Sequence, residues 1–74
     1  MTKFEAMKAA IRAAGSHSRL AKGLGLKSVG TISNWVRRGY VPAERVLAIE
    51  TLTGVSRHDL RPDIYPAEPK VDAA

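Results

Sequence analysis

Cysteine is absent from this chain. No disulfide or thiolate-bound metal can therefore brace the fold, and the absence fits a cytosolic protein. Histidine is nearly absent: His17 and His58 lie far apart in the sequence and have no metal-ligand neighbours at the usual spacing, which argues against a metal site. No apolar run approaches the roughly 20 residues needed to span a bilayer. The first 15 residues contain Glu5 and mix polar with apolar positions, unlike a secretory signal. No stretch alternates with period two, so a sheet is not expected, although Asp63–Tyr65 could pair as a short strand in a dimer. There is no internal repeat. At 74 residues the chain makes one domain with a small core and little room for a buried catalytic cleft. Ser, His and Asp form no credible triad, so an enzyme is not expected, nor any cofactor.

Acids are also scarce where bases are common. From Ser16 to Arg45 there are six basic residues, Arg19, Lys22, Lys27, Arg37, Arg38 and Arg45, against the single acid Glu44. From Asp63 to Ala74 the balance reverses, with three acids and only Lys70. The net charge of +5 therefore sits on the middle of the chain. That is either a solvated basic surface or a footprint for a polyanion.

What is present reads as helix. Phe4, Met7, Ile11 and Ala14 form one helical stripe over about Lys3–Ala14, with Lys8 and Arg12 opposite and Gly15 suited to a left-handed C-cap. A second helix opens at Ser16 or Ser18; Leu20, Ala21 and Leu24 are its inner face, and it stops at Gly25. A third runs from about Ser28 to Arg38. Ile32, Trp35 and Val36 make its apolar face, Thr31, Asn34 and Arg38 the opposite one, with Ser33 and Arg37 at the flanks. A fourth begins at Pro42 as first helical residue and ends at Gly54. Val46, Ile49 and Thr53 line one side of it, and Leu47 serves a second contact. A short fifth opens at Ser56, where Ser56 and Asp59 have the spacing of a capping box; Leu60 anchors it and Pro62 limits it. The expected fold is all-α, a compact five-helix domain over residues 1–66. Residues 67–74, with two prolines in PAEPKVDAA from Pro66 onward, read as a disordered tail.

The second and third helices form a unit. Two helices crossing steeply need a small residue at the contact, here Ala21, and a turn that accepts positive φ, here Gly25. Leu26 then points back to the core. Ile32 and Trp35 pin the third helix, so its other face is held outward. Such a helix can enter the major groove of DNA.

L-A-x-x-L-G-L at Leu20–Leu26, followed by T-I-S-N-W at Thr31–Trp35, resembles the helix-turn-helix of Cro and CI-type phage repressors, the lambda-repressor-like fold. G-x-V-P-A-E-R at Gly39–Arg45 and R-H-D-L-R-P-D-I-Y-P at Arg57–Pro66 are similar to the Cro-like regulators of prophages, including the YdaS type. The resemblance spans roughly residues 16–66. It implies a five-helix domain that binds operator DNA, usually as a dimer, to repress transcription in the bacterial cytoplasm, at the nucleoid. The chain departs from the common motif by one additional residue within Leu26–Gly30, which implies a longer turn.

By this resemblance, Ser28, Val29, Gly30 and Thr31 fall where the helix tip meets base edges. The serine and threonine hydroxyls can pair with bases or phosphates, and a Val or Thr methyl can meet a thymine methyl. Ser28 is equally an N-cap, and Gly30 suits close backbone approach or a tight turn. Asn34 can pair bidentately with adenine, and Arg38, which shares its face, is expected at a base edge too. Ser18, Arg19, Lys22, Lys27, Ser33, Arg37 and Tyr40 are expected along the phosphates, with Tyr40 otherwise packed against the domain. Leu20, Ala21, Leu24, Gly25, Ile32 and Trp35 are the structural core of the motif. Leu47, Leu60, Ile64 and Tyr65 are candidates for a homodimer seam. They also serve an alternative, an antitoxin or adaptor that holds a protein partner on its fourth and fifth helices and binds DNA only secondarily.

Overall fold

The computed structural model describes residues 2–66. The predicted tail, 67–74, lies outside the described residues. The elements are α1 (Lys3–Ala14), α2 (His17–Gly23), α3 (Gly30–Arg38), a 3-10 turn (Ala43–Arg45), α4 (Val46–Thr53) and α5 (Arg57–Leu60). No strand occurs among the described residues.

α1 is the axis of the domain and touches each of the other helices. Its start is set by a capping box. Thr2 Oγ1 accepts from Glu5 N at 3.0 Å, and Glu5 Oε1 accepts from Thr2 N at 2.9 Å, so two amides left over at the helix start are satisfied reciprocally. The predicted stripe is rotated, however. Met7 and Ile11 are buried, but their companions are Ala6 and Ala10, while Phe4 is 41% exposed. The alanines let α1 come close to its neighbours, and Phe4 stays outside with Lys8 Nζ over its ring at 5.3 Å.

The core gathers residues from every helix: Ala6, Met7, Ala10 and Ile11, then Leu20 and Ala21, Ile32 and Trp35, Val46 and Ile49, and Leu60, with Val41 from the loop after α3. Among the described residues no polar or charged group is buried with them. At about 25 cal/mol per Å² of apolar surface removed from water, this cluster supplies most of the drive to fold.

Several local expectations are corrected. Pro42 is not the first helical residue: its ψ of 150° is extended, and it precedes the 3-10 turn that leads into α4. The capping box expected between Ser56 and Asp59 does not form. Ser56 Oγ accepts from His58 N at 3.1 Å, and the free amide of Arg57 goes to Glu50 Oε2 at 3.0 Å, a partner seven residues back on α4. Asp63–Tyr65 is no strand. The Ile64 and Tyr65 amides both donate to the Arg61 carbonyl, at 3.1 and 2.8 Å, and close a turn. Leu60 is fully buried, which removes it from any partner surface.

Candidate nucleic-acid interface

α2 starts at Ser16, not Ser18: the Ser16 hydroxyl accepts from Arg19 N at 3.1 Å. It ends in a Schellman motif. Leu26 N donates to Ala21 O at 2.8 Å and Gly25 N to Lys22 O at 3.1 Å, with Gly25 at φ 74°. These bonds satisfy the last carbonyls of α2 and reverse the chain. Leu26 is half-buried and packs on the core.

α3 begins at Gly30, two residues later than the sequence pattern suggests. Ser28 Oγ accepts from Gly30 N at 3.0 Å, so Ser28 acts as a cap. Val29 is already in a helical conformation, and its carbonyl accepts from Ser33 N at 3.2 Å. Gly30 has a local reason to be glycine: a Cβ there would stand 3.2 Å from Ser28 Oγ. The longer turn is therefore taken up by a capped half-turn over Ser28 and Val29. α3 ends at Gly39, in the left-handed region at φ 94°, whose amide donates to Trp35 O at 2.8 Å.

Ile32 and Trp35 are buried and fix the roll of α3 about its axis. Asn34 and Arg38 are exposed, Thr31 and Ser33 half-buried, and Ser28 and Gly30 exposed at the tip. Val29 stands beside them with 42% of its surface open to solvent. The outer face thus carries a methyl group, hydroxyls, a carboxamide and a guanidinium on one short helix. Along α2 and the turn, Ser18, Arg19, Lys22 and Lys27 are exposed, and so is Arg37 on α3. Leu20 and Ala21 are buried and Leu24 is half-buried, so the structure brings the predicted motif core together.

Ion pairing divides the cations of the domain. Arg57 is paired to Glu50, 3.0 Å, and Arg61 to Asp63, 2.8 Å. Among the described residues Arg19, Lys22, Lys27, Arg37 and Arg38 have no carboxylate within 4 Å. Lys8, Arg12 and Arg45 are likewise unpaired, so the feature is broad; it is densest on α2, the turn and α3. The pairing also marks the acids. The Arg57 amide and guanidinium hold the Glu50 carboxyl below its usual range, and Arg61 holds Asp63 down to about 2.

Tyr40 is less free than the sequence suggests. It is half-buried, with Arg61, Lys3 and Arg38 around its ring at 4.7, 5.1 and 5.5 Å from the centroid.

A shallow hollow of about 110 Å³ lies among Lys8, Ile11, Arg12, His17 and Val36. Its lining holds no carboxylate, hydroxyl or thiol. No group of His, Asp or Glu suited to a metal ion occurs among the described residues, and none of the helices there is long and apolar enough to cross a membrane.

A protein-family model described as "Bacterial toxin YdaS" matches residues 7–69. Among solved structures, the chain is similar to the Cro protein from the element Xfaso 1 in Xylella fastidiosa strain Ann-1. The two are 47% identical with a TM-score of 0.79, over 84% of this chain and 97% of that one. No curated protein matches the chain.

Proposed function

The chain belongs to the YdaS family, and on that premise we propose that it is a sequence-specific DNA-binding repressor of the prophage Cro type. One observation carries the reading. α3 is anchored by Ile32 and Trp35 and turns Thr31, Asn34 and Arg38 outward, flanked by cations that no carboxylate among the described residues neutralises. An apolar inner face with a polar, hydrogen-bonding outer face suits the major groove, about 12 Å wide.

In this reading Val29 and Thr31 meet base edges at the tip of α3 and Asn34 pairs with adenine. Ser28 contributes by capping, with Gly30 beside it. Arg19, Lys22, Lys27, Arg37, Ser18 and Ser33 follow the phosphates. They supply affinity without sequence information. About five phosphates neutralised per subunit give a slope of log K against log[salt] near −4.5. A homodimer would read two half-sites about 34 Å apart. Residues 1–66 are the binding domain, and removing 67–74 leaves melting and DNA affinity unaltered. The protein works in the cytoplasm, at the nucleoid, and is not an enzyme.

A second reading is favoured by exposed apolar side chains outside α3, Leu47 at 46% on α4 and Ile64 at 42% after α5, with half-buried Tyr65. They suit a protein partner, as an antitoxin or adaptor requires. Selection of sites from a random duplex pool decides. An enriched palindrome supports the dimeric repressor; no enrichment overturns it and favours the adaptor.

A further inference from the structure

The ring of Tyr40 joins two cations from distant parts of the chain. Lys3 Nζ lies 5.1 Å from its centroid and Arg38 Cζ 5.5 Å. Arg61 is the third cation, at 4.7 Å, but each of its three nitrogens is already spent on a partner. Nε and Nη2 grip Asp63 at 3.0 and 2.8 Å, and Nη1 donates to the Val41 carbonyl at 2.8 Å. Its side chain is 13% exposed. Arg61 is thus a strut that fixes the loop after α3 and the ring beside it.

Lys3 and Arg38 are not spent. Lys3 stands 4.0 Å from Asp63, a carboxylate already held at both oxygens by Arg61. Arg38 has no carboxylate partner among the described residues. Three cations against one carboxylate leave excess positive charge around a single ring, where like charges repel. Lys3 also occupies the first turn of α1, the end of a helix where its dipole disfavours a cation. Among the described residues Lys3 meets the shared Asp63 at 4.0 Å and the Tyr40 ring, and its ammonium keeps donors for a further anion.

We propose that Lys3, Tyr40 and Arg38 form a clamp for the phosphodiester backbone of duplex DNA at the C-terminal end of α3, positioned by Arg61. This rests on the DNA-binding reading above. It adds Lys3 of α1 to the interface, and it moves Arg38 from base edge to backbone. The ring sets the spacing of the two cations, and Arg61 sets the ring. The two cations can then neutralise phosphates of one strand just beyond the bases that α3 reads.

The test uses the full chain and compares the salt dependence of duplex binding for the parent, Lys3→Gln, Tyr40→Leu, Arg61→Gln and, as a reference phosphate contact, Lys22→Gln. Losing one phosphate contact removes about 0.9 from the slope, which is about an eightfold loss at 0.1 M salt relative to 1 M. Lys3→Gln is expected to show that loss on every duplex alike, with unchanged melting. Tyr40→Leu and Arg61→Gln are expected to lower the slope too. The loss in a Lys3→Gln/Tyr40→Leu double variant should be less than the sum of the two singles. Should Arg61→Gln fail to fold, Lys3, whose side chain is 38% exposed, still carries the test. If Lys3→Gln leaves slope and affinity unchanged while Lys22→Gln lowers both, the clamp is refuted and the DNA reading stands. If the parent binds no duplex, both fall.

Discussion

The carboxylate of Glu50 holds Arg57 at two points. Oε2 accepts from the Arg57 amide and Oε1 from its Nε, each at 3.0 Å. A helix of four residues cannot nucleate alone, and α5 is such a helix. It forms because α4 supplies the acceptor for its first amide and Leu60 is buried beneath it. Arg57 in turn lies 5.8 Å from the Tyr65 ring centroid, and the His58 Nδ1–H donates to the Tyr65 carbonyl at 2.9 Å. The last described turn is therefore folded back on α5.

This arrangement sets an acid limit to stability. Glu50 and Asp63 both titrate below their ordinary values, 4.5 and 3.8, with Asp63 at about 2. Depressed carboxylates stabilise the fold above their unfolded values and lose that contribution as pH falls through the folded ones. The gap in Tm between the parent and Asp63→Asn should be constant above about pH 5 and close between about pH 4 and 2. A gap that does not change over that window would show that Arg61 does not stabilise the Asp63 charge.

Trp35 is 4% exposed and joins α3 to the core. Trp35→Ala should cost about 3–5 kcal/mol, a large share of the roughly 5–15 kcal/mol by which a domain is stable. Thermal melting followed by circular dichroism should show a Tm lowered by roughly 12–40 °C. A variant that melts like the parent would refute the anchoring role.

Asn34 is exposed on the face opposite Ile32 and Trp35. Asn34→Ala should weaken cognate duplex by about 1–3 kcal/mol and relax preference at one base pair. Titration of cognate duplex and of its single-site variants measures both effects. Equal affinity of parent and variant for every duplex would remove Asn34 from base reading.

Gly25 has φ 74°, and a Cβ there would have nothing within 4 Å. The cost of Gly25→Ala is then that of the backbone alone, about 1–2 kcal/mol for a left-handed residue with a side chain. Chemical denaturation should show this loss with an unchanged m-value. A larger loss, or a changed m-value, would mean that the Schellman turn between α2 and α3 has been lost.

The sequence by itself determined the helices and the motif. Periodicity is a property of one segment, so α1 over Lys3–Ala14 and the Ile32–Trp35 anchor with Asn34 opposite were legible without a partner. So was Gly25, because positive φ is written in the residue type. Thr2 and Glu5 carried a capping box that the same logic could have found. What only the tertiary structure decided are choices between local options that a distant group settles. Phe4 and Ala6 stand on opposite flanks of the Met7–Ile11 stripe of α1, and the close approach of the neighbouring helices covers the alanine side. Asp59 stood at capping distance from Ser56, yet the Ser56 hydroxyl took the His58 amide, and Glu50 on another helix took that of Arg57. Leu60 could have faced a partner, and the packing of α5 on α1 turned it inward. Lys3 and Tyr40 are 37 positions apart in the sequence, and nothing in either segment signals the other. Local pattern reports which residues share a face; only the assembled helices decide which face is covered and what meets it.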